Sequence, residues 1–136
     1  MIATSSGALP QELDRILHVE PGSHAIAAQS FPGSLDLFAD HFPRFPVLPG
    51  LLLLDCMTEV MLLPLLGRGE WSVAAFRGLS LIHPVLPGDT VEVSADIVEE
   101  RPDRVRSIAA AEVDARTVAR VREVVLVPAD APLRTE

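Results

Sequence analysis

The chain has 136 residues, 49% of them hydrophobic, enough for one domain around one core and not for two. Its net charge of −8 argues against nucleic acid as a partner, since phosphate binding needs a basic face. One cysteine, Cys56, excludes an internal disulfide.

Residues 1–10 are small and polar and read as a loose tail. No charged segment followed by an apolar run opens the chain, so no signal peptide is expected and a cytoplasmic location is. Leu13 to Val19 is apolar at 13, 16, 17 and 19, too short to assign by period alone. Glu20-Pro21-Gly22 is a turn signal, with Pro and Gly placed as a type II turn requires. His24 to Phe31 reads as a strand, so the two segments form an expected hairpin. His18 and His24 flank its turn. A metal held between them is conceivable, but solvated strand ends are the ordinary outcome, and no metal or cofactor is expected.

Pro32-Gly33-Ser34 breaks the chain before Leu35 to Ala39 runs into a proline-stiffened loop. That loop, His41-Phe42-Pro43-Arg44-Phe45-Pro46-Val47-Leu48-Pro49, leads into an expected helix starting around Gly50 and ending by Pro64. Leu and Met dominate the helix, and a helix apolar nearly all round is expected to be buried on all sides. Its strongly polar side chains, Asp55, Thr58 and Glu59, fall at i, i+3 and i+4 and share one narrow stripe. With Asp55, Glu59 and Pro64 inside it, residues 50–66 are not expected to cross a membrane.

Gly67-Arg68-Gly69 ends the helical segment, and Trp71 to Ile82 is strand-like. His83-Pro84-Val85-Leu86-Pro87-Gly88-Asp89 is a second proline-bounded loop. Val91, Val93, Ala95 and Ile97 then alternate with Glu92, Ser94 and Asp96, the pattern of a half-buried strand. Arg101-Pro102-Asp103 is a turn. Arg104 to Val113 and Val118 to Val127 are two further strands, joined around Asp114-Ala115-Arg116, and the last nine residues form a loose tail. One helix with about six strands and no strand–helix alternation makes this an α+β chain with an antiparallel sheet around its helix. A single domain over 1–136 is expected, its core at about 13–127.

Burying Asp55 costs several kcal/mol unless it is paired or hydrogen-bonded, so a buried helix that carries it needs a reason. Capping a loop or meeting an arginine would be one. The other is His41, fourteen residues upstream, which with Asp55 and a helix N-terminus supplies a base, an acid and backbone donors for an oxyanion.

His41-Phe42-Pro43, Pro46-Val47-Leu48-Pro49-Gly50 and Asp55-Cys56-Met57 resemble, without a gap, the motif of the β-hydroxyacyl-thioester dehydratases of the FabZ/FabA type. The likeness continues in Arg15 to Gly22, Phe76 to Asp89 and the Val113-Asp114 hairpin. It implies the hot-dog fold, a sheet wrapped around one central helix, dimeric through sheets joined edge to edge. It implies loss of water from a 3-hydroxyacyl thioester on acyl carrier protein or coenzyme A, in fatty-acid or polyketide-type biosynthesis. By the same resemblance His41 is the base, Asp55 the acid from the other subunit, and the Gly50 N–H a donor to the thioester oxygen. Phe42, Pro49 and Glu59 would line the site. Asp55 stands where most FabZ-like chains carry Glu, as in the FabA branch, and Glu59 stands where relatives carry Gln. The chain also lacks the front helix of FabZ-like chains and any tyrosine. Two alternatives stay open: a non-catalytic or half-catalytic subunit of a heterodimer with another hot-dog chain, and a hot-dog thioesterase. Seven of the eleven arginines lie at or after Arg101, and with Arg68 or Arg77 they either form a docking patch for an acidic carrier or lie scattered in solvent.

Overall fold

The computed structural model describes residues 13–32, 48 and 50–129. Six strands and one helical segment make up the described chain. β1 (Arg15–Glu20) and β2 (His24–Ser30) precede the helix α1 (Gly50–Leu62), and β3 (Trp71–Leu81), β4 (Thr90–Arg101), β5 (Arg104–Val113) and β6 (Arg116–Pro128) follow it. All six join one antiparallel sheet in the order β1-β2-β4-β5-β6-β3. Register shifts interrupt four of its ladders, at Ile16/His18, Val73/Ala75, Ile97/Glu99 and twice in β5 against β6. Each such bulge adds bend and twist, which lets a single sheet curl over a helix. This is the hot-dog arrangement.

α1 forms because Leu and Met lose little rotamer freedom in a helix and nothing from 50 to 62 breaks it. Pro64 then imposes a short 3₁₀ turn, Leu63–Leu65. Leu53, Cys56, Met57, Val60 and Met61 recur at i, i+3, i+4, i+7 and i+8 and form the stripe pressed on the sheet. The inner face of the sheet meets them with Ala25, Ala27, Ala95, Ala109 and Ala111 as well as Val91, Val93, Val105 and Val121. Small alanines under bulky methionines bring the helix close to the strands. Each fully buried valine contributes about 1.5–3 kcal/mol relative to exposure.

The expectation of a helix buried on all sides is corrected. Leu51 is 72% exposed, Asp55 is exposed, and Leu66 just beyond the helix is 58% exposed. Among the described residues one sheet covers one side of α1, and no second layer closes the other. Among the described residues, no helix is long and apolar enough to cross a membrane.

The turns follow their residues. Gly22 has φ of 76° and the Ser23 N–H donates to the Glu20 carbonyl at 2.9 Å, a type II turn as the Pro-Gly pair requires. At the β5–β6 connection Asp114 (φ 51°) and Ala115 (φ 67°) are both left-handed, the type I′ geometry of a two-residue hairpin. Asp tolerates that region; alanine does so at a cost of roughly 1–2 kcal/mol, partly offset in a glycine variant by greater unfolded-state entropy. Ala115→Gly is therefore expected to stabilise the protein by about 0.5–1 kcal/mol, read as a thermal midpoint raised by roughly 2–4 °C. An unchanged or lowered midpoint would contradict the strained turn.

Candidate active site

The helix is held at its start by the second proline loop. The Leu48 N–H donates to the Val85 carbonyl at 2.8 Å, while Gly88 N–H and Phe31 N–H bond the Phe31 and Asp89 carbonyls at 2.7 and 3.0 Å. Residues 83–89 thus tie the end of β2 to the entry of α1. No acidic side chain occupies the first turn of α1, so no carboxylate of its own neutralises the partial positive charge of its N–H groups. Gly50 opens the helix, and the position a Cβ would take there lies 2.8 Å from Leu81 Cδ1. Helix start and β3 are therefore in contact, through the tip of a flexible side chain.

Of the residues expected at the site, Gly50, Asp55 and Glu59 are described; His41, Phe42 and Pro49 lie outside the described residues. Asp55 is exposed on the uncovered side of α1, one and a half turns from Gly50. Glu59 follows one turn later and is half-buried. Thr58, between them, spends its hydroxyl on the Leu54 carbonyl at 2.9 Å, an ordinary back-bond within the helix. Next to Asp55, Cys56 is fully buried, and burial, with Glu59 the next cause, pushes its thiol up to about 12. That thiol is inert packing, not a nucleophile.

Burial, and after it the negative charge of Asp55, raises the Glu59 carboxyl above its ordinary range. No ion pair among the described residues involves Glu59; Arg77, one arginine that could have met it, pairs with Glu123 at 3.7 Å. A carboxyl whose folded pKa is raised adds stability while protonated and loses it as pH rises through the folded pKa. Glu59→Gln should consequently match the wild-type melting temperature near pH 4 and exceed it near pH 8. A variant destabilised at both pH values would mean that Glu59 is held by a cation.

Leu51, one turn before Asp55, is exposed, and so are Leu81 (57%), which touches the helix start at Gly50, and Leu79 (41%) and Ile82 (42%) at and just past the end of β3. Among the described residues β3 pairs only with β6, so its other edge offers unpaired backbone groups. An apolar surface of this kind can desolvate an acid once something covers both. On the rest of the surface, Arg101 and Arg106 are both bonded to Glu99, at 2.8 and 2.6 Å, Arg106 also reaches Glu123 at 2.8 Å, and Arg68 pairs with Glu100. Arg104, Arg116, Arg120 and Arg122 are exposed.

Comparison with known proteins finds a family and a fold. The family model of the ApeI-like proteins, described as ApeI dehydratase, matches residues 18–119. The chain is 34% identical over 113 residues to the 3-hydroxyacyl-[acyl-carrier-protein] dehydratase FabZ of Bacillus velezensis, covering 78% of this chain and 79% of the relative. It is 31% identical over 94 residues to the FabZ of Symbiobacterium thermophilum, covering 65% of this chain and 66% of the relative. In that second case the match spans just under two thirds of the relative's length. Among solved structures it superposes on a chain of the dehydratase heterocomplex ApeI:P of Xenorhabdus doucetiae with a TM-score of 0.61 and 23% identity, covering 77% of this chain and 88% of the other.

Proposed function

The chain belongs to the ApeI-like dehydratase family, and from that membership we propose that it removes water from a 3-hydroxyacyl thioester to leave a trans-2-enoyl thioester. The C2 proton is weakly acidic and is taken by a base that titrates near neutrality, a role that suits His41. The electron pair moves into the thioester as an enolate, whose oxygen accepts from the N–H of Gly50 at the start of α1. The pair then returns to form the C2–C3 double bond, and the C3 hydroxyl leaves as water with the proton of Asp55. The observation that supports this most is the position of Asp55, exposed on α1 five residues after Gly50 and one turn after the exposed Leu51.

In this reading the site is completed by a second subunit laid against the open edge of β3. The covering subunit desolvates Asp55 and brings its own His41 to it. A homodimer is the simplest such assembly. A second reading pairs this chain with a different hot-dog subunit; what favours it is the likeness to a chain of the ApeI:P complex, which is a heterocomplex. The acyl group comes on an acyl carrier protein, as it does for the FabZ relatives by name, and a cytoplasmic location goes with that reading.

The test presents the same 3-hydroxyacyl group on acyl carrier protein and on coenzyme A and follows the absorbance of the conjugated enoyl thioester. Formation on the carrier protein at the higher kcat/KM supports the proposal. If neither carrier gives enoyl product, with the chain alone or with a partner subunit added, it fails. Glu59 supplies a second readout. Burial, and after it the charge of Asp55, raises the Glu59 carboxyl, and in the Gln variant that titrating group is gone. Glu59→Gln is expected to move the alkaline limb of the pH–rate profile to lower pH, and an unmoved limb would take Glu59 out of the site.

A further inference from the structure

Outside α1, a second group of chemically capable side chains is brought together by the sheet. β1 and β2 pair with Glu20 opposite His24 and His18 opposite Ile26, which puts His18, Glu20 and His24 on one face of the hairpin. That face points away from the core. Ala25 and Ala27, which alternate with His24 and Ile26, are fully buried on the side of α1. The two imidazole rings are 4.8 Å apart between centroids, and His24 Nδ1 lies 3.5 Å from Glu20 Oε1. One ligand atom from each of the three residues falls within 4.8 Å of the others.

The geometry points to a zinc-type divalent metal site on this outer face, held by His18, Glu20 and His24. At zinc–nitrogen and zinc–oxygen distances of about 2.0–2.1 Å, tetrahedral ligand atoms stand roughly 3.3 Å apart. The His24–Glu20 separation is already near that value, and His18, exposed and free to turn, has to close by about an ångström and a half. Two imidazoles and one carboxylate are donors of borderline softness, which favours zinc, nickel or copper over magnesium or calcium. The remaining position faces solvent and would be filled by water. Charge around the cluster agrees. Asp96 is paired with His24 across the β2–β4 ladder and adds a negative charge. Arg68, whose guanidinium packs against Gly22 in the turn, is paired with Glu100.

Because β1, among the described residues, is an edge strand bound only to β2, a metal across the two would clamp the sheet's end. Its place on the opposite face of β2 from α1 separates it from the Asp55 surface, so the site stands or falls independently of dehydration.

The full chain is titrated with Co²⁺, read by its visible absorption, and Zn²⁺ is then added to displace it. One equivalent is expected to bind and to raise the melting temperature, as any ligand of the native state does. His18→Ala and His24→Ala are each expected to weaken binding at least about tenfold, while His83→Ala leaves it unchanged. Circular dichroism checks that the variants are folded, and His18→Gln and His24→Gln replace the alanine variants if they are not. No saturable cobalt spectrum up to millimolar metal, or binding that survives loss of both histidines, overturns the site.

Discussion

Asp55→Asn and His41→Ala are each expected to cut dehydration by about a hundredfold or more while leaving the fold intact. For Asp55 the structure makes this a clean experiment. The side chain is exposed in the single chain and makes no ion pair among the described residues, so a same-shaped amide removes only the transferable proton. The core stripe of α1, from Leu53 to Met61, is untouched. Melting temperature and circular dichroism should match the wild type. For His41 the loss is that of the base, and no other histidine sits on the α1 loop to replace it. Near-normal turnover by either purified variant would remove that residue from the chemistry.

The second large effect is a recovery. If His41 of one subunit works with Asp55 of the other, mixing His41→Ala with Asp55→Asn protein creates hybrid dimers with one intact site. Random exchange makes half of all dimers hybrids, so a nearly dead pair should regain about a quarter of wild-type activity. The geometry that motivates this is the exposed side of α1, where Leu51 and Asp55 face solvent, together with Leu79, Leu81 and Ile82, exposed at the end of the edge strand β3 that meets the helix start. Leaving this much leucine and isoleucine exposed is costly unless another chain covers it. No recovery despite demonstrated subunit exchange would place the site within one chain.

How much of this was legible beforehand depended on how local each signal is. The β4 alternation of Val91, Val93 and Ala95 against Glu92, Ser94 and Asp96 encodes a strand with one buried face, and the three apolar residues are the ones buried. The Pro21-Gly22 turn and the helix start at Gly50 are equally local and match the structure. The environment of α1 is not local. A leucine such as Leu51 is hydrophobic whether it meets its own sheet or a partner, so the helix read as wholly buried when one side is open. The β5–β6 turn was placed without its geometry, since Ala115 carries no left-handed signature. The placing of β3 beside β6 depends on a pairing that no window along the chain displays, whereas the hairpin that sets His18 and Glu20 near His24 was legible in its Pro-Gly turn. At the site, the helix residues Gly50, Asp55 and Glu59 fall along one helix as their spacing required. What the spacing could not say was that burial acts on Glu59 while Asp55 stays open.

The central claim is that the reaction is loss of water from C3, and the acyl group's mass tests it most directly. A 3-hydroxyacyl group on acyl carrier protein is incubated with the wild-type chain, and the carrier is then weighed by mass spectrometry. Dehydration leaves the acyl chain attached and lighter by one water, and Asp55→Asn leaves it unchanged over the same time. A carrier returned without its acyl group, together with free hydroxy acid, would make the protein a thioesterase and contradict the account.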